Sequence, residues 1–280
     1  MSSYDPYDPH EGRQAPEEHY YNPIKPSGWR EVARKFWAPL AAVGFLFWKL
    51  KFIVLAVFKF KLFTVAGSML VSIGAYAIFW GWQFAVGFVL LLFVHEMGHV
   101  IEAKRQGLPV SAPMFIPFLG ALITLKRLPD NAWAEAKVAI AGPIVGGLGA
   151  AAVWLTGESI DSELLVALGF TGFFLNLFNL APISPLDGGR IVGAIHPALW
   201  AVGLALLVGL AFVAPNPILI LILVLGGLES WRRWKHRKAP EGEAYYRVSP
   251  KRRVIVGVSY IVLAALLTVG MSASFVERDF

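Results

Sequence analysis

Six apolar stretches, at 62–80, 84–103, 133–155, 164–182, 198–231 and 254–274, follow one another along most of this chain. A bilayer core about 30 Å thick is crossed by ~20 helical residues, so most of these stretches have the length of a span. The 198–231 stretch divides at Ala214-Pro215-Asn216-Pro217 into two shorter halves. No soluble core can absorb this much apolar surface. Of 280 residues, 56% are hydrophobic and 16% charged, against about 45–50% and 25% in soluble domains. The expected fold class is an α-helical polytopic membrane protein with about six to seven transmembrane helices. The net charge of +6 then belongs to loops facing the cytoplasm and to contact with the lipid bilayer, and no nucleic acid is expected as a partner. Without cysteine there is neither a thiolate metal ligand nor a Cys nucleophile.

Residues 1–28, rich in Pro, Tyr, Asp and Glu, read as a disordered cytoplasmic tail. Residues 29–61 alternate short apolar runs with Lys and Arg, which suggests basic interfacial helices. Residues 62–280 form the membrane-embedded domain. If the N-terminus is cytoplasmic, the outer segments carry Arg278 as their one basic residue while the other 24 Lys and Arg lie on the inner side or at its margin. The expected location is therefore the cell membrane, with the N-terminus inside. One apolar stretch does not suit a helix. Residues 109–125 read PVSAPMFIPFLGALITL, with prolines that remove helix donors and a β-favouring tail. A re-entrant β-hairpin turning near Phe118 and Gly120 is expected there.

The second stretch ends in FVHEMGHVIEAKR. On a helix, His95 and His99 lie one turn apart on the same face, so both imidazoles can reach one ion, with Glu96 beside it as a base. Ionisable groups inside a span cost about 2.5–3.5 kcal/mol each on insertion scales, so three within five residues call for a compensating ligand. A catalytic zinc takes three protein ligands and leaves one position open. Asp187, in NLFNLAPISPLDGGR, is the other acid at similar depth, on a segment that Pro182, Pro185, Gly188 and Gly189 allow to turn back. Asn179 is a neutral donor suited to an oxyanion. Asn176, one turn earlier, could serve likewise or bond between helices. His196, beyond the glycine turn, reads as an interfacial histidine, and Gly142, Pro143, Gly146 and Gly147 as a close-packing helix face.

HEMGH with NLAPISPLDGG resembles the site-2 protease family of intramembrane zinc metalloproteases, peptidase family M50. The paired motifs fall on His95, Glu96, His99, Asn179, Pro182, Leu186, Asp187 and Gly188, within a core of about 84–190. The resemblance implies one Zn²⁺ per chain held by His95, His99 and Asp187, with Glu96 as general base and Asn179 stabilising the substrate carbonyl. It also implies a transmembrane protein as substrate, clamped by the 109–125 segment, where Ile116, Phe118 and Ile123 are the candidate contacts. Gly146 stands where some members carry Asn, a departure expected to leave the chemistry alone. No segment suits a PDZ or CBS domain, so the resemblance is to a compact form. Two other readings use the same ligands, a metal-transporting or metal-sensing membrane protein and a non-catalytic binder of membrane helices. The almost wholly apolar outer halves of the spans disfavour a transport path.

Overall fold

A computed structural model describes residues 28, 45, 48, 49, 63–118 and 120–276. The chain divides into two compact units, Met1–Phe58 and Lys59–Phe280. In the first, Gly28, Phe45, Trp48 and Lys49 are helical, and the rings of Phe45 and Trp48 stack 5.9 Å apart. The rest of the expected tail and interfacial helices lies outside the described residues.

The second unit begins with α1 (Phe63–Trp80) and α2 (Trp82–Arg105). A hairpin of β1 (Met114–Ile116) and β2 (Gly120–Leu122) follows. The remaining helices are α3 (Ala132–Ser159), α4 (Glu163–Asn179), α5 (Asp187–Ile195), α6 (Leu199–Val213), α7 (Pro217–His236), α8 (Pro240–Tyr245) and α9 (Pro250–Ala273). Four of them, α1, α2, α3 and α9, are long and apolar enough to cross a membrane. α4 and α6 are apolar but shorter, and α7 runs past its apolar part into ESWRRWKH. The 164–182 stretch yields a shorter helix because the chain breaks into turns at Leu180, ahead of Pro182 and Pro185. Side-chain caps start three helices: Asn131 accepts from Ala134 N, Ser162 from Leu165 N and Asn216 from Ile218 N, which satisfies orphan donors.

α3 is the centre of this unit, packing against α2, α4, α5 and α9. Its small residues allow that. A Cβ on Gly98 of α2 would collide with the main chain at Ala141 and Gly142 of α3, and one on Gly172 of α4 would press on Ala150. Close backbone approach through Gly and Ala is how helices associate where lipid offers no hydrophobic drive.

The expected hairpin is present. Met114 pairs with Leu122, Phe115 with Ala121 and Ile116 with Gly120, all antiparallel. Its turn uses a left-handed backbone at Phe118 (φ 64°) and Gly120 (φ 90°). Further back, Ser111 N donates to Thr124 O and Lys126 N to Pro109 O, each at 2.9 Å. The hairpin is tied to α1 twice: Phe115 N donates to Ser68 Oγ (3.2 Å) and Phe118 N to Tyr76 Oη (3.0 Å).

Candidate metal centre

Two helices bring the ligating groups together. His95 and His99 project from one face of α2, and Asp187 opens α5 after the turns at 180–186. Asp187 Oδ2 lies 3.2 Å from His95 Nε2 and 3.2 Å from His99 Nε2, and the two Nε2 atoms are 3.1 Å apart. α5 can start here because Gly188 and Gly189 touch the main chain of 180–184, where any Cβ would collide.

The opposite ring nitrogens decide which atoms face inward. His95 Nδ1 lies 2.7 Å from Asn176 Oδ1, and Asn176 Nδ2 donates to Gly172 O at 2.7 Å, so the amide oxygen is the atom left for the imidazole. His99 Nδ1 lies 2.8 Å from Val138 O, an acceptor only. Each neutral ring must therefore carry its proton on Nδ1, leaving a lone pair on Nε2. Two lone pairs and a carboxylate oxygen then converge with no proton among them. Three acceptors at such distances fit around a cation, and two imidazoles with one carboxylate suit zinc with a position to spare.

Glu96 is buried beside this cluster, and among the described residues its carboxylate makes no hydrogen bond. It lines a cavity of about 190 Å³ together with the three ligating residues, Asn179 and Arg190. Asn179 is thus placed at the cavity, with its Nδ2 donating to Leu175 O at 3.1 Å. Arg190, one turn after Asp187 on α5, belongs to no motif in the sequence, and its i+3 spacing from Asp187 is the one signal that puts it on the same helix face. Among the described residues its Nε is buried without an acceptor.

The hairpin supplies one wall. Ile123 lines the cavity with Ala121, Leu122 and Leu125. Beyond β2 the pairing with the first arm runs through Thr124 O and Lys126 N, and among the described residues the N–H and C=O of Ile123 make no hydrogen bond. Ile116 pairs with Gly120 and is not in the lining. Phe118 packs its ring on Tyr76 (5.4 Å) and Phe79 (5.7 Å) of α1 instead. The departure at Gly146 does reach the chemistry, contrary to expectation. A Cβ there would overlap the Asn176 amide, so glycine on α3 makes room for the group that orients His95.

Residues 83–160 match the family model Peptidase family M50. A zinc metalloprotease of Methanocaldococcus jannaschii is 32% identical over 124 residues, which is 42% of this chain and 35% of that protein. Rip3 of Mycobacterium tuberculosis, which also carries a zinc metalloprotease name, is 29% identical over 189 residues, 63% of this chain and 46% of its own. The chain thus spans less than half the length of either relative. A solved structure titled Site-2 Protease from Methanocaldococcus jannaschii overlays 76% of this chain and 89% of its own at 23% identity, with a TM-score of 0.39, too low to bear on the fold. Over the segment that carries HEMGH, the chain is similar to peptidase family M50.

Proposed function

We propose that this chain is an intramembrane zinc metalloprotease that hydrolyses peptide bonds in or near transmembrane segments of other proteins. The observation that carries this reading is the convergence of the His95, His99 and Asp187 acceptors beside a buried Glu96 that makes no hydrogen bond among the described residues, in a cavity walled by the hairpin. His95, His99 and Asp187 hold the ion. Zinc, when bound, supplies Lewis acidity toward a water and the scissile carbonyl. Glu96 accepts the proton of the attacking water and delivers it to the leaving amine. Asn179 donates to the carbonyl oxygen as charge builds there, through the amide N–H that is not given to Leu175 O.

A transmembrane helix hides its carbonyls in its own hydrogen bonds, so a substrate must be unwound before it is cut. The open edge at Ile123 offers main-chain partners to such a segment without demanding particular side chains. We assign residues 62–280 as the protease domain, with α4 and the α6–α7 pair adding to the four long helices in the membrane. The Lys and Arg distribution supports a cytoplasmic N-terminus in the cell membrane and an active site toward that side. The deciding experiment compares membrane proteomes of cells expressing the wild-type chain or Glu96→Gln. Membrane proteins that accumulate intact only with Glu96→Gln are the substrates. Identical proteomes, with both chains zinc-loaded, would refute proteolysis.

A further inference from the structure

A second cavity, of about 530 Å³, opens where α7 ends and α9 begins, and it shares no residue with the metal cavity. Four cations border it, Arg237, Lys238, Arg247 and Arg253, against one carboxylate, Glu243. The arginines are fixed in ways that leave their charge unspent. Arg253 donates through Nε to Val248 O (3.1 Å) and through Nη2 to Tyr246 O (3.4 Å). Arg237 lies over the Trp234 ring, 3.1 Å from its centroid, and donates to Trp234 O. Carbonyls and a ring orient a guanidinium without neutralising it. Arg247 meets Glu243 at 3.4 Å, but both side chains are more than two-thirds exposed, where such a pair is weak. Among the described residues Lys238 makes no hydrogen bond or ion pair.

The depth of this cavity is set by its neighbours. Arg253 sits in the first turn of α9, one of the four helices able to cross a membrane. Trp231 and Trp234 mark the end of α7, and Tyr245 and Tyr246 the link that follows, the residues that gather at a membrane–water boundary. Preset guanidinium forks match phosphate oxygens, and at this boundary phosphates belong to lipids. We propose that this cavity binds the phosphate-bearing headgroup of an anionic glycerophospholipid. A zwitterionic headgroup brings its own ammonium into a cavity that already holds three uncompensated positive charges, and is disfavoured.

The test uses the purified full chain in detergent, with bound lipid counted by native mass spectrometry. Phosphatidylglycerol should be retained at one per chain and phosphatidylcholine should not. Lys238→Gln/Arg247→Gln removes two exposed charges from the cavity without touching a buried contact, and should weaken phosphatidylglycerol binding about 30-fold. Lys104→Gln/Lys126→Gln removes the same charge elsewhere and should leave binding unchanged. Equal losses in both pairs would reduce the effect to general attraction and overturn the site. Equal retention of phosphatidylcholine would overturn the reading of headgroup charge. Displacement of the lipid by inorganic phosphate at matched concentration would make it a site for a free anion, and the lipid assignment would fall.

Discussion

His95 on α2 and Asn176 on α4, 81 residues apart in sequence, meet at 2.7 Å, Nδ1 to Oδ1, behind the metal centre. This contact fixes both the tautomer of the ring and its direction, so a residue that touches no ion governs what the ion meets. Asn176→Leu should lower zinc affinity about 10–100-fold, the usual effect of losing such a partner. Chelator competition on the purified variant measures it, and wild-type affinity would remove Asn176 from the centre.

His99 is held by space as much as by bonding. A Cβ on Gly142 would enter its imidazole at Cε1 and Nε2, whereas one on Gly209 of α6 would meet nothing within 4 Å. Gly142→Ala should therefore weaken zinc binding at least about tenfold, and Gly209→Ala should not. Metal content after purification separates them, and equal zinc in the two would show that α2 and α3 can part without cost.

The proposed function makes Glu96 a base and not a ligand. Glu96→Gln should keep zinc and lose about 10²–10⁴ in cleavage rate, while His95→Ala should lose the metal. If both variants lose zinc alike, that division of labour is wrong.

Glu135, buried at the start of α3, receives Arg233 of α7 through both Nη1 and Nη2 (3.2–3.3 Å) and the Tyr245 hydroxyl at 2.7 Å. Burial and the neighbouring carboxylate push the Tyr245 hydroxyl above the ordinary tyrosine range. Glu135→Ala leaves Arg233 to Glu229 alone, at 3.1 Å, and the Tyr245 hydroxyl without its acceptor, so it should destabilise the domain by about 1–3 kcal/mol. Adding Arg233→Met should recover part of that loss. Thermal unfolding in detergent reads both, and a double variant no more stable than Glu135→Ala alone would contradict the pairing.

Ile123→Pro removes one donor from the open edge and leaves the ligands untouched. Zinc binding should stay at the wild-type level while cleavage of a model transmembrane substrate slows about five- to tenfold, the worth of one hydrogen bond. A helix-breaking residue in the substrate should restore part of the rate. Wild-type cleavage would mean that substrates are held elsewhere.

Motif spacing made His95, Glu96, His99 and Asp187 readable before any fold, because one helical turn and one glycine turn suffice to aim them. Proline content likewise exposed the hairpin. The choice between Asn176 and Asn179 was not readable. They lie one turn apart on the same helix, and only the phase at which α4 packs on α2 turns the former to His95. The other orienting acceptor, the carbonyl of Val138, belongs to the main chain and leaves no mark on residue type. Gly146 read as a packing residue with no chemical consequence, since its importance lies in a neighbour from a different helix. The substrate contacts were drawn from the hairpin as a whole. Which side each strand residue faces follows from the register, which places Ile123 at the cavity and leaves Phe118 to the aromatic rings of α1.

Strands of three residues are too short to persist alone, and this hairpin relies on two side-chain hydroxyls, Ser68 and Tyr76, both on α1. A chain shortened to begin at α2 would retain every ligand and both of their orienting acceptors, yet lose what holds the template edge in shape. The helix that looks most like a simple anchor, with 11% of its most apolar 18 residues buried against 50% in α2, is what the hairpin hangs on. A minimal enzyme cut from this scaffold has to carry α1 with it.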